Sequence, residues 1–210
     1  MSRLFGIILA AGEGRRMGTP KARLVVEGAT LLERHAHRLR ELGCARDATV
    51  AVVRPPVQMT PPPVDALLVP VLTESPAASL AFGLRELRER ARTAPREDDA
   101  ILVTPVDMLP PSIHTLTKLV DAIRCGEGRV DAATPICRGR SGHPAVVRYA
   151  IVARYIDELA EVERTGQDVL PPLRDVLRGA RRVRVDVDDV RVLDDLDTPS
   201  DLLALRRGDR

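Results

Sequence analysis

The stretch from Leu9 to Lys21 (Leu-Ala-Ala-Gly-Glu-Gly-Arg-Arg-Met-Gly-Thr-Pro-Lys) concentrates residue types that bind anions. Gly12, Gly14 and Gly18 let the backbone fold tightly and aim several N–H groups into one concavity, an anion nest. Arg15, Arg16 and Lys21 add up to three positive charges over seven residues. An anion with several negative charges, such as a nucleoside triphosphate, matches that supply. Glycines and arginines alone also fit an ordinary turn with solvated side chains, the lesser of the two readings. Two well-known phosphate motifs fail here. The dinucleotide fingerprint needs GxGxxG, but the glycine after Gly12 and Gly14 is Gly18. The P-loop needs Gly-Lys-Ser/Thr opening a helix, whereas Lys21 follows Pro20 and precedes Ala22-Arg23-Leu24.

Asp107 is the second chemical landmark. It follows the apolar run from Ala100 to Val103, so it belongs just beyond the carboxyl edge of a central strand, where open α/β sheets bind ligands. Mg²⁺ typically takes one or two carboxylates and completes its shell with phosphate oxygens and water, and Asp107 can be one such ligand. Its alternative role, capping the helix after Pro111, falls more naturally to Ser112. The acids Asp186, Asp188, Asp189, Asp194, Asp195, Asp197 and Asp201 cannot all be ligands. Asp201 fits the third helical position after Thr198-Pro199, and Asp186 and Asp188 fall on the solvent face of a strand alternating with valines.

The elements that must hold these residues alternate along the chain. Leu4 to Ala10 is a strand buried on both faces. Thr30 to Glu33 is a capping box, opening a helix with Leu31, Leu32, His35, Leu39 and Leu42 at helical spacing before Gly43. Strands are expected at 49–53, 66–72, 100–103, 131–136, 144–149 and 183–187, with a proline-rich surface connection from 55 to 63. Helices are expected after Ser75-Pro76, from Ser112 to about Ile123, over 151–160 and 170–177, and from Thr198-Pro199 to about Arg206. Repeated strand–helix units imply right-handed crossovers: a three-layer αβα sandwich around a mostly parallel twisted sheet, in one domain spanning 1–210.

Composition narrows the function classes. With 44% hydrophobic and 30% charged residues the chain is not a disordered one. No apolar run reaches the roughly 18 residues of a membrane span, and the absence of a signal-peptide layout implies a cytoplasmic protein. Cys44, Cys125 and Cys137 form neither a CxxC nor an even set, so no disulfide framework or zinc site is indicated. A net charge of +2 and only four aromatics (Phe5, Phe82, Tyr149, Tyr155) argue against nucleic-acid binding. Lys21 and Lys118 are the only lysines; the other thirty cations are arginines. That bias suits phosphate and carboxylate recognition or reflects the base composition of the source genome.

The pattern LAAGxGxRMGxxK directly after an N-terminal strand resembles the signature of nucleotidyltransferases with a glycosyltransferase-A-like, nucleotide-diphospho-sugar transferase fold, a Rossmann-related architecture. It is most similar to the molybdenum cofactor cytidylyltransferase and molybdopterin-guanine dinucleotide synthase branch. Pro105-Val106-Asp107, Gly142-His143-Pro144 and Asp195-Leu196-Asp197-Thr198-Pro199-Ser200-Asp201 support it in the expected order along nearly the whole chain. The resemblance implies transfer of a nucleoside monophosphate to the phosphate of a molybdopterin-type acceptor with release of pyrophosphate. It implies nucleotide contacts from Leu9, Ala10, Ala11, Gly12, Gly14, Arg16, Gly18, Lys21 and Ser79, with Lys21, Arg16 and Asp107 in the chemistry. It further implies Mg²⁺ held by Asp107 and Asp195, with Asp197 as second choice, and acceptor contacts from Arg140 and His143. A client molybdoenzyme is an implied partner. Ala11 resembles the cytidine-using branch, which favours CTP over GTP. Two departures touch the acceptor side: Gly166-Gln167-Asp168 stands where a Gly-Asp-x-Gly-Ala-Arg segment is usual, and Asp107-Met108-Leu109-Pro110 loosens an Asp-Met-Pro. They leave open a sugar phosphate or other small phosphorylated acceptor, or a nucleotide-binding relative without catalysis.

Overall fold

The computed structural model describes residues 2–55, 65–73, 75–126, 129–167 and 170–207. Its strands are β1 (Leu4–Ala10), β2 (Val25–Val26), β3 (Ala29–Thr30), β4 (Thr49–Val53), β5 (Leu67–Pro70), β6 (Ala100–Pro105), β7 (Ala132–Cys137), β8 (Arg140–Ser141), β9 (Ala145–Arg148) and β10 (Arg182–Asp186). Its helices are α1 (Leu31–Glu41), α2 (Pro76–Arg90), α3 (Ile113–Cys125), α4 (Tyr149–Val152), α5 (Arg154–Thr165), α6 (Leu173–Gly179) and α7 (Pro199–Arg207). The main sheet runs β10-β7-β9-β6-β1-β4-β5, with β8 paired to β7. Only β9 breaks the parallel order of the main path, pairing antiparallel with both β6 and β7.

Burial on both faces explains the unbroken apolar run of β1. Ile7 packs into the layer containing Leu80 and Leu84 of α2 and Tyr155 and Leu159 of α5. Ile8, pointing the other way, packs into the layer containing Leu31 and Leu39 of α1 and Leu116 and Leu119 of α3. The result is the expected αβα sandwich. Local signals set the helix starts: Thr30 and Glu33 form the reciprocal capping box, Ser75 caps α2 ahead of Pro76, and Ser112 accepts from the Thr115 N–H.

Several boundaries differ from the sequence reading. The 66–72 strand is confined to Leu67–Pro70, an edge position that tolerates proline. The expected 151–160 helix is two pieces, α4 and α5, and the 170–177 helix starts later because Pro172 stands immediately before it. Arg138–Ser141, for which no element was expected, belongs to a built hairpin. Cys137 pairs directly with Arg140 across Arg138 (φ 51°) and Gly139 (φ 76°), a two-residue turn with both residues left-handed. The β2–β3 hairpin, turning at Glu27 and Gly28, was not anticipated; two-residue strands carry too little periodicity to be read. Most of the proline-rich connection, from 56 to 64, lies outside the described residues. Among those residues no helix is long and apolar enough to cross a membrane.

Candidate active site

The glycine-rich loop leaves β1 at the carboxyl edge of the sheet and makes two single helical turns. The first, Arg15–Met17, is bracketed by Gly14 (φ 64°) and Gly18 (φ 67°), both left-handed, and closes with the Met17 N–H donating to the Gly14 carbonyl at 2.9 Å. Gly14 also has no room for a side chain: a Cβ there would stand 2.0 Å from the Thr19 carbonyl oxygen. The second turn, Lys21–Arg23, is anchored by Ala22 and Leu24, which are buried with α1 in the core. That anchorage fixes the backbone of Lys21, whose side chain is 17% exposed.

Asp107 arrives from the sheet side. The Val106 N–H donates to the Leu9 carbonyl at 3.1 Å, continuing the β1–β6 ladder to the rim. The Leu196 N–H donates to the Asp107 carbonyl at 2.6 Å, and the Leu196 side chain is buried. This one backbone contact brings the Asp195-Leu196-Asp197 segment, almost ninety residues away in sequence, beside Asp107. Lys21 Nζ lies 2.5 Å from Asp197 Oδ1 and 3.5 Å from Asp107 Oδ2, and Arg16 reaches Asp197 Oδ2 at 3.6 Å. Asp201 does what its position implies: its carboxylate accepts from the Thr198 N–H at 2.7 Å and the Asp197 N–H at 3.1 Å at the start of α7. Asp186 and Asp188 are exposed, whereas Asp189 is turned inward and accepts from the Ser112 N–H at 2.6 Å.

The cleft so formed has a volume of about 280 Å³ and is lined by Gly12, Gly14, Arg16, Lys21, Asp107 and Asp197, among others. Its charge is ordered. Arg15, counted with the cations in the sequence, is held by Glu13, whose other carboxylate oxygen takes Arg54 at 2.5 Å. Arg54 also reaches the Thr73 carbonyl, so Glu13 and Arg54 tie the loop to the ends of β4 and β5. The Glu13 carboxyl lies below its ordinary value, chiefly through its hydrogen bond with Arg15. Neither Glu13 nor Arg54 was marked by any motif; a lone acid in a basic loop was the available signal.

The Asp195 carboxyl is pushed upward, first by partial burial and then by the negative charges of Asp107 and Asp197, with His143 and Lys21 opposing. His143 therefore lies near this end of the cleft. It precedes Pro144 through a cis peptide, and its N–H donates to the Val192 carbonyl at 2.8 Å. Gly142 approaches the same strand of chain so closely that a Cβ would lie 2.0 Å from the Val192 oxygen. Arg140 is exposed on the hairpin and does not line the cleft. Of the remaining loop positions, Leu9 lines the cleft, while Ala10 and Ala11 are buried and Gly18 is exposed at the far end of its turn. Ser79 is buried in the first turn of α2, with its N–H donating to the Ser75 carbonyl, and does not line the cleft. Gln167 is exposed after α5; Asp168 lies outside the described residues.

A divalent cation fits this donor set. Oδ1 of Asp107 is buried without a hydrogen-bond partner, and the upward shift of Asp195, caused first by burial and then by the charges of Asp107 and Asp197, includes a repulsion that a cation would relieve. No group of three or more His, Cys, Asp or Glu side chains among the described residues is arranged to enclose a metal. A pair of carboxylates suits a hard cation that completes its shell with phosphate oxygens and water.

Comparison with known proteins gives a consistent picture. Residues 6–185 match the model of the MobA-like NTP transferase domain. A protein of Rhodopirellula baltica named as a probable molybdenum cofactor guanylyltransferase is 29% identical over 205 residues, covering 95% of this chain and 90% of its own. The crystal structure of Rv0371c from Mycobacterium tuberculosis superposes with a TM-score of 0.69 at 20% identity, covering 98% of both chains. A structure of the same mycobacterial protein in complex with manganese superposes at 0.61, with 18% identity and 99% and 100% coverage. The molybdopterin-guanine dinucleotide biosynthesis protein A of Archaeoglobus fulgidus gives 0.62 at 20% identity and 97% coverage of each chain. These structures share the fold.

Proposed function

The chain belongs to the MobA-like NTP transferase domain family of nucleotidyltransferases, and from that premise we propose that it transfers a nucleoside monophosphate to the phosphate of a molybdopterin-type acceptor. A terminal phosphate oxygen of the acceptor attacks the α-phosphorus of the triphosphate, and the bond to the β-phosphate bridging oxygen breaks as pyrophosphate leaves. The observation that carries this reading is Lys21, held by buried neighbours and facing Asp107 and Asp197 across a glycine-lined cleft.

In this reading the residues divide the work as follows. The loop N–H groups and Arg16 cradle the triphosphate, and Lys21 meets the charge that develops on the reacting phosphoryl group. Asp197, which holds Lys21 in the free protein, is displaced from it or shares it when phosphate arrives. Asp107 and Asp195 would hold a divalent cation, Mg²⁺ in this reading, which when bound offsets charge on the phosphates. The manganese complex of the mycobacterial protein supports a divalent cation. His143, at the Asp195 end, and Arg140, on the adjoining hairpin, bind the acceptor. Positioning and electrostatics supply most of the acceleration in such transfers, and no protein nucleophile is needed.

We take GTP as the donor, on the support of the relative named for guanylyl transfer. CTP is the second reading, favoured by Ala11, where guanosine users tend to carry glycine. Pyrophosphate release measured across the four triphosphates with molybdopterin, with and without molybdenum, decides between them. Turnover with GTP bears out the first reading and turnover with CTP the second. Tight triphosphate binding without turnover on either acceptor overturns the enzymatic reading. Lys21→Ala should lose about 10²–10³-fold in rate, the scale of removing one preorganised donor.

A further inference from the structure

His35 faces the core from α1 with only 2% of its surface exposed. In that apolar layer its ring has two polar partners. Nε2 lies 2.8 Å from the Met108 carbonyl oxygen, which can only accept, so Nε2 carries the proton. Nδ1 is then the acceptor, 3.3 Å from the Thr104 hydroxyl, whose one proton is shared with the Pro105 carbonyl, also at 3.3 Å. Thr104 stands on the strand before the bend that presents Asp107, and Met108 is the last residue of that bend.

The bend from Val106 to Met108 has no regular structure of its own and is held from outside. β1 takes the Val106 N–H, Leu196 supplies an N–H to the Asp107 carbonyl, and His35 supplies one to the Met108 carbonyl. Three of the four peptide planes between Pro105 and Leu109 are thus tied to three different parts of the molecule. Two of these ties are backbone. The third is a side chain, and it works in a dry layer where a buried carbonyl needs its donor.

We propose that His35 is a positioning residue for Asp107: by donating to the Met108 carbonyl it fixes the bend on which Asp107 faces Lys21, and it thereby sets the affinity of the site for a divalent cation. This rests on the nucleotidyl-transfer reading, since only there does Asp107 hold a cation. A residue that orients a ligand without touching the metal typically changes metal affinity by about 10–100-fold when removed.

The experiment compares His35→Leu, His35→Gln and Thr104→Val with the unaltered protein. Free Mn²⁺ is followed by its electron paramagnetic resonance signal in the presence of a GTP analogue with methylene between the α- and β-phosphorus. Analogue binding without metal and thermal unfolding are measured alongside. His35→Leu should weaken Mn²⁺ binding by at least about tenfold while metal-free analogue binding is unchanged. Gln places an N–H the same number of bonds from Cβ and should recover most of the loss. Thr104→Val should shift Mn²⁺ affinity less, in the same direction. A folded His35→Leu protein that binds Mn²⁺ as tightly as the unaltered one overturns the proposal, as does His35→Gln with no recovery. If His35→Leu does not fold, Thr104→Val decides, and unchanged Mn²⁺ affinity there overturns it. Failure of the unaltered protein to bind Mn²⁺ with the analogue overturns the functional reading, and with it this inference.

Discussion

Replacing Gly14 by alanine isolates what loop geometry contributes to nucleotide binding. At φ 64° a side chain pays roughly 1–2 kcal/mol for the left-handed region. The larger effect is steric. The new Cβ would stand 2.0 Å from the Thr19 carbonyl oxygen, whereas even close carbon–oxygen contacts keep about 3.3 Å, so the loop must open by roughly 1.3 Å. Thr19 lies two residues before Lys21, and a displacement near 1 Å at a positioned group costs about 10²-fold. Gly14→Ala should therefore weaken binding of the GTP analogue by about 10²-fold, or roughly 2.7 kcal/mol. Gly18 and Gly12 are the controls. Gly18, at φ 67° with nothing within 4 Å of a Cβ, carries the conformational penalty alone. Gly12 has neither strain nor clash in the free protein, so Gly12→Ala should leave loop amide exchange at wild-type rates and report only ligand contact. Calorimetric titration and hydrogen exchange on all three variants check the order. The reasoning is refuted if Gly18→Ala loses as much affinity as Gly14→Ala, or if Gly14→Ala still binds within a factor of about three.

Other consequences concern pH and capping. Asp195 has a raised carboxyl, so it favours folding when protonated, and that contribution is lost as pH rises through its folded value; Asp195→Asn should raise the melting temperature of the ligand-free protein at pH 7 more than at pH 4. His35 is pushed down to about 4 by burial, so the folded protein loses about 3 kcal/mol as pH falls from 6.5 towards 4, and a melting series on His35→Gln should show that slope removed. Asp131 sits below its ordinary value, chiefly through its hydrogen bonds with Arg181, so Asp131→Asn should lower the melting temperature above the carboxylate range, with the difference fading at lower pH and pyrophosphate release unchanged. Asp201→Ala removes the side-chain half of the reciprocal cap at the start of α7, leaving Thr198 to accept from the backbone N–H of residue 201, and should cost about 1 kcal/mol by denaturant unfolding.

Much of this architecture was legible because its signals are local. The β1 and β4 boundaries, the capping box at Thr30, the caps at Ser75 and Ser112 and the start at Thr198-Pro199 each depend on neighbours within a few residues. The antiparallel insertion of β9 between β6 and β7 was not legible, since a four-residue buried strand reads the same in either direction. The 138–141 hairpin was missed as structure because Arg138 takes a left-handed conformation that its residue type does not announce.

The same division runs through the site. The loop glycines, Arg16, Lys21 and Asp107 could be picked out for the proposed anion site by type and spacing, since a nest, its cations and a strand-end acid are all set by short-range order. Which acid meets each cation was decided in three dimensions, where Glu13 takes Arg15 and Asp197 meets both Lys21 and Arg16. The place of Asp195 and Asp197 beside Asp107 depends on one hydrogen bond between chain segments almost ninety residues apart. His35, at an apolar position of an amphipathic helix, acquires its meaning only from the Met108 carbonyl that packing sets against it. Sequence fixes what a residue can donate, accept or charge; only the folded core fixes what stands within 3 Å of it.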